Sequence, residues 1–379
     1  TPEVDGCGGS EEAVVYLAAE LARSGCDVEV FTAIPVGLQP VHVHDGVTWR
    51  GFDRAHPGIP ADHLIAVRAP WFVALPTARR DKRHVWIWHH DHAYPEQSWG
   101  PYVAKLAGHL YVSAWQRRTL EAATGPTRGA VIYNGVPTAQ IEAARLAVEA
   151  AGQVRDPFRC AWASMPTRRL DRMLDLWPEI RASWPEATLQ VFYGFNTPAQ
   201  IWRNFHREVD VQMAEIRVRL GALGPYGVSW RGRIGQRVLS EELWCSGVAP
   251  YPTNYPETYG IALARAGACG AVPVTLAAGA LPETAPGIHV LGGVDDAAWA
   301  GGTRVAFLEA LTEAFRTNPG QRATMAGDAL AGRSWAGVAQ RTLDAFDAME
   351  GGVEGPLRPM EPPLETPEPP YPEPFVMAG

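Results

Sequence analysis

The sequence predicts an α/β protein made of two Rossmann-like, doubly wound domains. Three observations lead there. The chain has 379 residues, long for one domain and a natural length for two. Strand-like apolar runs alternate with segments of helical spacing, the pattern of a mostly parallel sheet with helices on both faces. That pattern restarts near residue 158, after an Ala-rich, Gly-punctuated stretch.

Gly8-Gly9 reads as a glycine turn and Ser10 as a helix cap, with Glu11 and Glu12 placed where negative charge suits the helix dipole. Val14, Leu17 and Leu21 recur at helical spacing, Gly25 closes the helix, and residues 28–31 alternate like a strand. This is the second part of a βαβ unit. No strand is read ahead of Gly8, and Phe375-Val376-Met377 is one segment that can fill its place. Further strands are expected over 64–67, 85–88, 110–112 and 131–133, with a helix over 117–123. In the second half, strands are expected over 158–163, 189–193, 228–230, 248–251, 272–276 and 288–291. Leu170, Met173, Leu174 and Trp177 mark one helix face, and helices are expected over 198–220, 261–268 and 335–349. The implied organisation is a first domain over 1–140, a linker over 141–157 and a second domain over 158–334. A helix over 335–350 crosses back, and a Pro/Glu-rich tail over 351–379 favours extended structure.

Composition narrows the function. A net charge of -8 argues against non-specific nucleic-acid or anionic-membrane binding as the main role. There is no basic-apolar-small leader and no apolar run of membrane-span length, so a cytoplasmic location is expected. The five cysteines are scattered, without a Cys-x-x-Cys pair, which fits reduced thiols.

Four segments carry groups suited to chemistry. Gly8-Gly9-Ser10-Glu11 offers bare N–H groups at a helix start, suited to a diphosphate or simply to a tight turn. His89-His90-Asp91-His92 follows a strand, at the sheet edge where open α/β folds bind ligands. Neighbours in an extended chain point opposite ways, so one functional histidine is expected there and a zinc site is not. Ser164 to Arg169 follows the first strand of the second half, where an arginine can clamp a phosphate or lie on a solvated helix start. Residues 251–260 place Glu257 and several N–H groups before another helix. No nucleophile triad, P-loop, Gly-x-Gly-x-x-Gly or Asp-x-Asp is present.

Together these segments resemble family four of the retaining GT-B glycosyltransferases, two Rossmann-like domains facing across a cleft. The likeness runs from about Gly8 to Ala348. Its pieces are Gly-Gly-Ser-Glu at 8–11, His90-Asp91, Val131-Ile132-Tyr133-Asn134-Gly135-Val136, Arg168 and Pro256-Glu257-Thr258-Tyr259-Gly260-Ile261. Ala266 to Val274 and Leu281-Pro282-Glu283-Thr284 complete it.

The resemblance implies a metal-independent enzyme that moves a sugar from a UDP- or GDP-linked donor to a hydroxyl, with no other cofactor. Gly8 and Gly9 would lie by the donor, and His90 at the reaction centre, with Ser10, Asp91 and Ser113 on the acceptor side. Arg168 would hold the diphosphate, with Ser164 standing where a partner arginine is usual. Glu257 would hold sugar hydroxyls, with backbone N–H groups from Thr258, Tyr259 and Gly260. The family's second acid falls on Arg265, which either turns away to an acid such as Glu283 or points inward to ribose or phosphate; the inward orientation is the expectation.

The implied acceptor is a glycan or lipid-linked glycan. A hydroxymethylated DNA base would need a basic, aromatic-lined cleft. The 14 tryptophans, Arg117-Arg118 and the cluster at 79–83 permit one, although core packing and solvated surface explain them better. A catalytically decayed sugar- or nucleotide-binding scaffold is the alternative.

Overall fold

The computed structural model describes residues 8–33, 41–55, 59–69, 72, 85–92, 106–193 and 207–350, with backbone alone at 207–210 and 349–350. The tail over 351–379, the 375–377 segment, the basic cluster at 79–83 and residues 198–206 of an expected helix lie outside the described residues. The chain divides into two compact units, one of Thr1–Gly9 with Val136–Ala331 and one of Ser10–Gly135 with Gly332–Gly379.

The unit that begins at Ser10 carries most of helix α1 (Gly9–Arg23), which buries Leu17 and Leu21. Gly25 ends it at φ 95°, with Cys26 N–H on Leu21 O at 3.1 Å and Gly25 N–H on Ala22 O at 3.0 Å. These are the paired bonds of a left-handed glycine stop. Ser10 lies inside the helix, a correction to the expected cap. Strand β1 (Val28–Thr32) follows. Strands β2 (Val41–His44) and β3 (Val47–Gly51) form a hairpin, and β3 pairs parallel with β1. Asp45 and Gly46, at φ 50° and 77°, make its two-residue turn. No strand was expected there.

A second sheet has four parallel strands in the order β4 (Leu64–Val67), β5 (Val85–His89), β6 (Gly108–Tyr111) and β7 (Gly129–Val131). Every residue of β5 is buried, which is why it reads as an apolar run rather than an alternation. Helix α2 (Ala114–Thr124) lies between β6 and β7. The C-terminal helix, Trp335–Glu350, packs on this unit: Trp335 stacks on Tyr16 at 5.9 Å and Phe346 on His63 at 4.1 Å. A Cβ on Gly135 would sit 2.7 Å from the Trp335 indole, so only glycine lets that ring approach.

In the other unit, helix α3 (Thr138–Ala150) packs against α6 (Gln236–Cys245), and the Trp244 indole donates to Ile141 O at 3.1 Å. Its sheet is wholly parallel: β8 (Asp156–Trp162), β9 (Thr188–Val191), β10 (Val228–Trp230), β11 (Ser246–Tyr251), β12 (Val272–Leu276) and β13 (Ile288–Val290). The spatial order is β10-β9-β8-β11-β12-β13. Counted within the unit this is 3-2-1-4-5-6, the doubly wound order, and it reverses between β8 and β11. Helices α4 (Leu170–Ser183) and α7 (Ile261–Ala268) follow β8 and β11 in the chain, α5 (Arg207–Ala222) precedes β10, and Trp162, Trp177, Leu189, Val274 and Phe307 lie in the core. Among the described residues no helix is long and apolar enough to cross a membrane.

Candidate functional site

Open doubly wound sheets bind ligands beyond the carboxyl ends of the strands that flank the order reversal. Here those strands are β8 and β11, and the expected residues Ser164, Arg168 and Glu257 follow them directly. The structure brings these three together around Tyr251, the last residue of β11. The Tyr251 hydroxyl is 2.6 Å from Glu257 Oε1 and 3.0 Å from Ser164 Oγ. Arg168 lies over the Tyr255 ring and exerts its charge on Glu257. Burial pushes the Glu257 carboxyl above its ordinary range, while Arg168 and the Tyr251 hydrogen bond pull the other way. Arg169, by contrast, is occupied with Asp171 and Asp296, so the two adjacent arginines have separate partners.

The 252–260 segment is held from several sides. Arg172, 1% exposed, donates to Pro252 O at 3.2 Å and to Asp296 at 2.9 Å. Ala280 N–H donates to Glu257 O at 2.7 Å, and Thr284 Oγ1 donates to Tyr259 O. Gly260 caps α7 at φ 78°, where a Cβ would meet the Leu281 side chain. The Leu281-Pro282-Glu283-Thr284 segment is therefore a brace for the Glu257 loop. Thr258 is half-buried beside it.

Arg265 lies on α7 with Gln236 as one partner. It is 1% exposed on α7, and its guanidinium donates to the Gln236 side chain and, at 3.4 Å, to Gln236 O.

The other unit holds a separate polar group. His89 is fully buried, with Nε2 3.1 Å from His109 Nδ1 and its ring stacked on Tyr111 at 4.8 Å. His90 packs edge-on against Trp88 at 4.5 Å. Burial, and secondarily Arg68, lowers the His90 pKa to about 3, so the ring is neutral at physiological pH. Asp91 Oδ2 accepts from Arg68 Nε at 2.9 Å, and Asp91 O accepts from Gln116 Nε2 at 2.9 Å. Ser113 caps α2 through Gln116 N–H at 3.0 Å, and Ser10 Oγ accepts from Arg68 at 3.2 Å. Gly8 and Gly9, exposed at the start of α1, cluster instead with the unit that carries Glu257, where a Cβ on Gly9 would lie 3.0 Å from the Ile261 side chain.

Three residues in these groups were missed. Tyr251 and Arg68 each close or follow an expected strand at its carboxyl edge, which is the signal that finds them. Gln116 stands three residues after Ser113, a capping pattern that the late helix start at 117 hid.

No protein-family model matches this sequence, and no curated protein matches it. Solved structures do. Sucrose-phosphate synthase from Thermosynechococcus elongatus superposes with TM-score 0.62 at 14% identity, over 93% of this chain and 97% of that one. HepE from Anabaena, in complex with UDP, gives TM-score 0.60 at 14% identity, over 90% and 96%. A glycosyltransferase from Rickettsia africae gives 0.60 at 13% identity, over 91% and 96%. At such identity the likeness is one of fold, that of the GT-B glycosyltransferases.

Proposed function

We propose that this protein is a retaining, metal-independent glycosyltransferase that moves a sugar from a nucleoside-diphosphate sugar to an acceptor hydroxyl. The observation that carries the reading is the meeting of Ser164, Arg168, Tyr251 and Glu257 at the carboxyl ends of β8 and β11, where the strand order reverses. A cation and a carboxylate side by side suit a ligand with an anionic part and a hydroxylated part. Arg168 takes the diphosphate, whose charge grows as the glycosidic bond breaks, and Glu257 accepts hydrogen bonds from sugar hydroxyls. The backbone N–H groups of Thr258, Tyr259 and Gly260 add fixed dipoles, and those at Gly8 and Gly9 do so at the start of α1. The UDP bound by HepE supports a UDP-linked donor, with GDP as the other choice.

No protein nucleophile is needed in this scheme. The leaving phosphate takes the acceptor's proton, and His90, held neutral, orients the acceptor by hydrogen bonding, with Asp91, Ser10 and Ser113 shaping that side. A glycan or lipid-linked glycan is the acceptor proposed, ahead of a hydroxymethylated DNA base. Arg265 supports the donor site by holding Gln236.

The buried Arg265, in place of an acid, favours one second reading: a scaffold that binds donor without turning it over. A mass-spectrometric screen of UDP- and GDP-sugars against acceptors, hydroxymethylated DNA included, tests the proposal. Sugar transfer or donor hydrolysis supports the enzyme; binding without turnover supports the scaffold.

A further inference from the structure

We propose that Tyr251 is a positioning residue, whose hydroxyl, itself held by Ser164, orients the Glu257 carboxylate toward the donor sugar. The inference rests on the donor-site reading above. Tyr251 is 2% exposed, with its hydroxyl between Glu257 Oε1 at 2.6 Å and Ser164 Oγ at 3.0 Å. An ionised carboxylate only accepts, so the phenol donates to Glu257 and accepts the Ser164 hydroxyl proton. The chain runs one way, from Ser164 through Tyr251 to Glu257, and each bond polarises the next.

Two contacts fix this relay in place. The Trp162 indole, 1% exposed, donates to Ser164 O at 2.8 Å, and its rings pack on Tyr251 at 5.1 Å. The relay therefore links the ends of β8 and β11, the two strands that flank the order reversal. With Oε1 taken by the phenol, Glu257 turns Oε2 to a sugar hydroxyl. Ser164 gains a role that an arginine at the same position would not fill: it sets the phenol's rotamer and leaves Arg168 as the cation beside Glu257.

The test is Tyr251→Phe, which keeps the ring and its Trp162 contact and deletes the hydroxyl. Losing a hydrogen bond to a charged group predicts a fall of about 10- to 100-fold in donor kcat/KM at neutral pH. Affinity for the free nucleoside diphosphate stays within about twofold, because the diphosphate contact is untouched. The hydroxyl stabilises the charged form of Glu257, so the acid limb of the pH profile moves to higher pH in the variant, and activity recovers in part as pH rises. Ser164→Ala gives the same pattern more weakly, and it serves if Tyr251→Phe does not fold. A loss uniform across pH, or one shared equally by the free diphosphate, overturns the proposal. If the wild-type protein neither binds nor turns over any sugar nucleotide, the functional reading fails, and the relay is decided separately by 13C NMR titration of Glu257, assigned with Glu257→Gln. A midpoint raised in Tyr251→Phe supports the relay; an unchanged one overturns it.

Discussion

Arg68 Nε stands 2.9 Å from Asp91 Oδ2, and the same guanidinium donates to Ser10 at 3.2 Å, joining the end of β4 to the segment after β5 and to the first turn of α1. Arg68 does so at φ 58°, a conformation that costs a non-glycine residue on the order of 1 kcal/mol. Arg68→Gly and Arg68→Ala lose the same partners, yet the glycine variant should be more stable by about 1 kcal/mol in urea unfolding. Both should impair acceptor-dependent transfer more than donor hydrolysis. Equal stabilities would show that the backbone is not strained.

Arg168→Ala should lower turnover on the order of 100-fold or more while leaving the melting temperature nearly unchanged. The lost interaction is with charge that develops on the leaving diphosphate, and Arg168 is half-buried beside Tyr255 rather than locked in the core. Unaltered steady-state kinetics would remove Arg168 from the site.

Much of this was legible in the sequence because local pattern and tertiary role agree. The strands 248–251 and 272–276 are buried throughout, as are residues 160–162 of 158–163, and all three read as apolar runs that match β11, β12 and β8 within two residues. Ser164, Arg168 and Glu257 were found because residues after such strands collect at one sheet edge. What the sequence hid was pairwise. Nothing in Tyr251 announces that its hydroxyl faces Glu257, since that depends on β8 and β11 being neighbours. The fate of Arg265 depends on Gln236, which lies 29 positions away. The hairpin on Asp45-Gly46 is legible as an Asp-Gly pair between alternating Val41-His42-Val43 and Val47-Thr48-Trp49, a strong short-range turn signal.

Arg265→Ala should cost about 2–4 kcal/mol of stability, because it empties a buried volume and strips a hydrogen bond from Gln236. Nucleoside diphosphate affinity should change by no more than about threefold, with the effect acting through Gln236. Paired chemical unfolding and calorimetry separate the two quantities. A stable variant with lost affinity would put the guanidinium on the nucleotide.

Burial holds His89 and His90 below the ordinary histidine value of 6.5, to about 3 for His90. The unfolded chain then binds more protons than the folded one below pH 6.5. Stability should be full above that pH and fall on acidification, by up to about 1.4 kcal/mol per pH unit for each such group. His90→Asn removes one of them and should flatten the dependence of melting temperature between pH 6.5 and 5 (about one proton less). An identical slope would mean that His90 titrates normally.

If Glu257 holds the donor sugar while Arg168 holds the diphosphate, titration calorimetry on wild type and Glu257→Gln separates the two contacts. Each protein is titrated with a nucleoside diphosphate and with the matching nucleotide sugar. Affinity for the sugar nucleotide should drop about tenfold or more in Glu257→Gln, because an amide oxygen accepts more weakly than a carboxylate, while affinity for the free diphosphate stays nearly intact. Equal losses for both ligands, or no loss for either, would contradict the assignment.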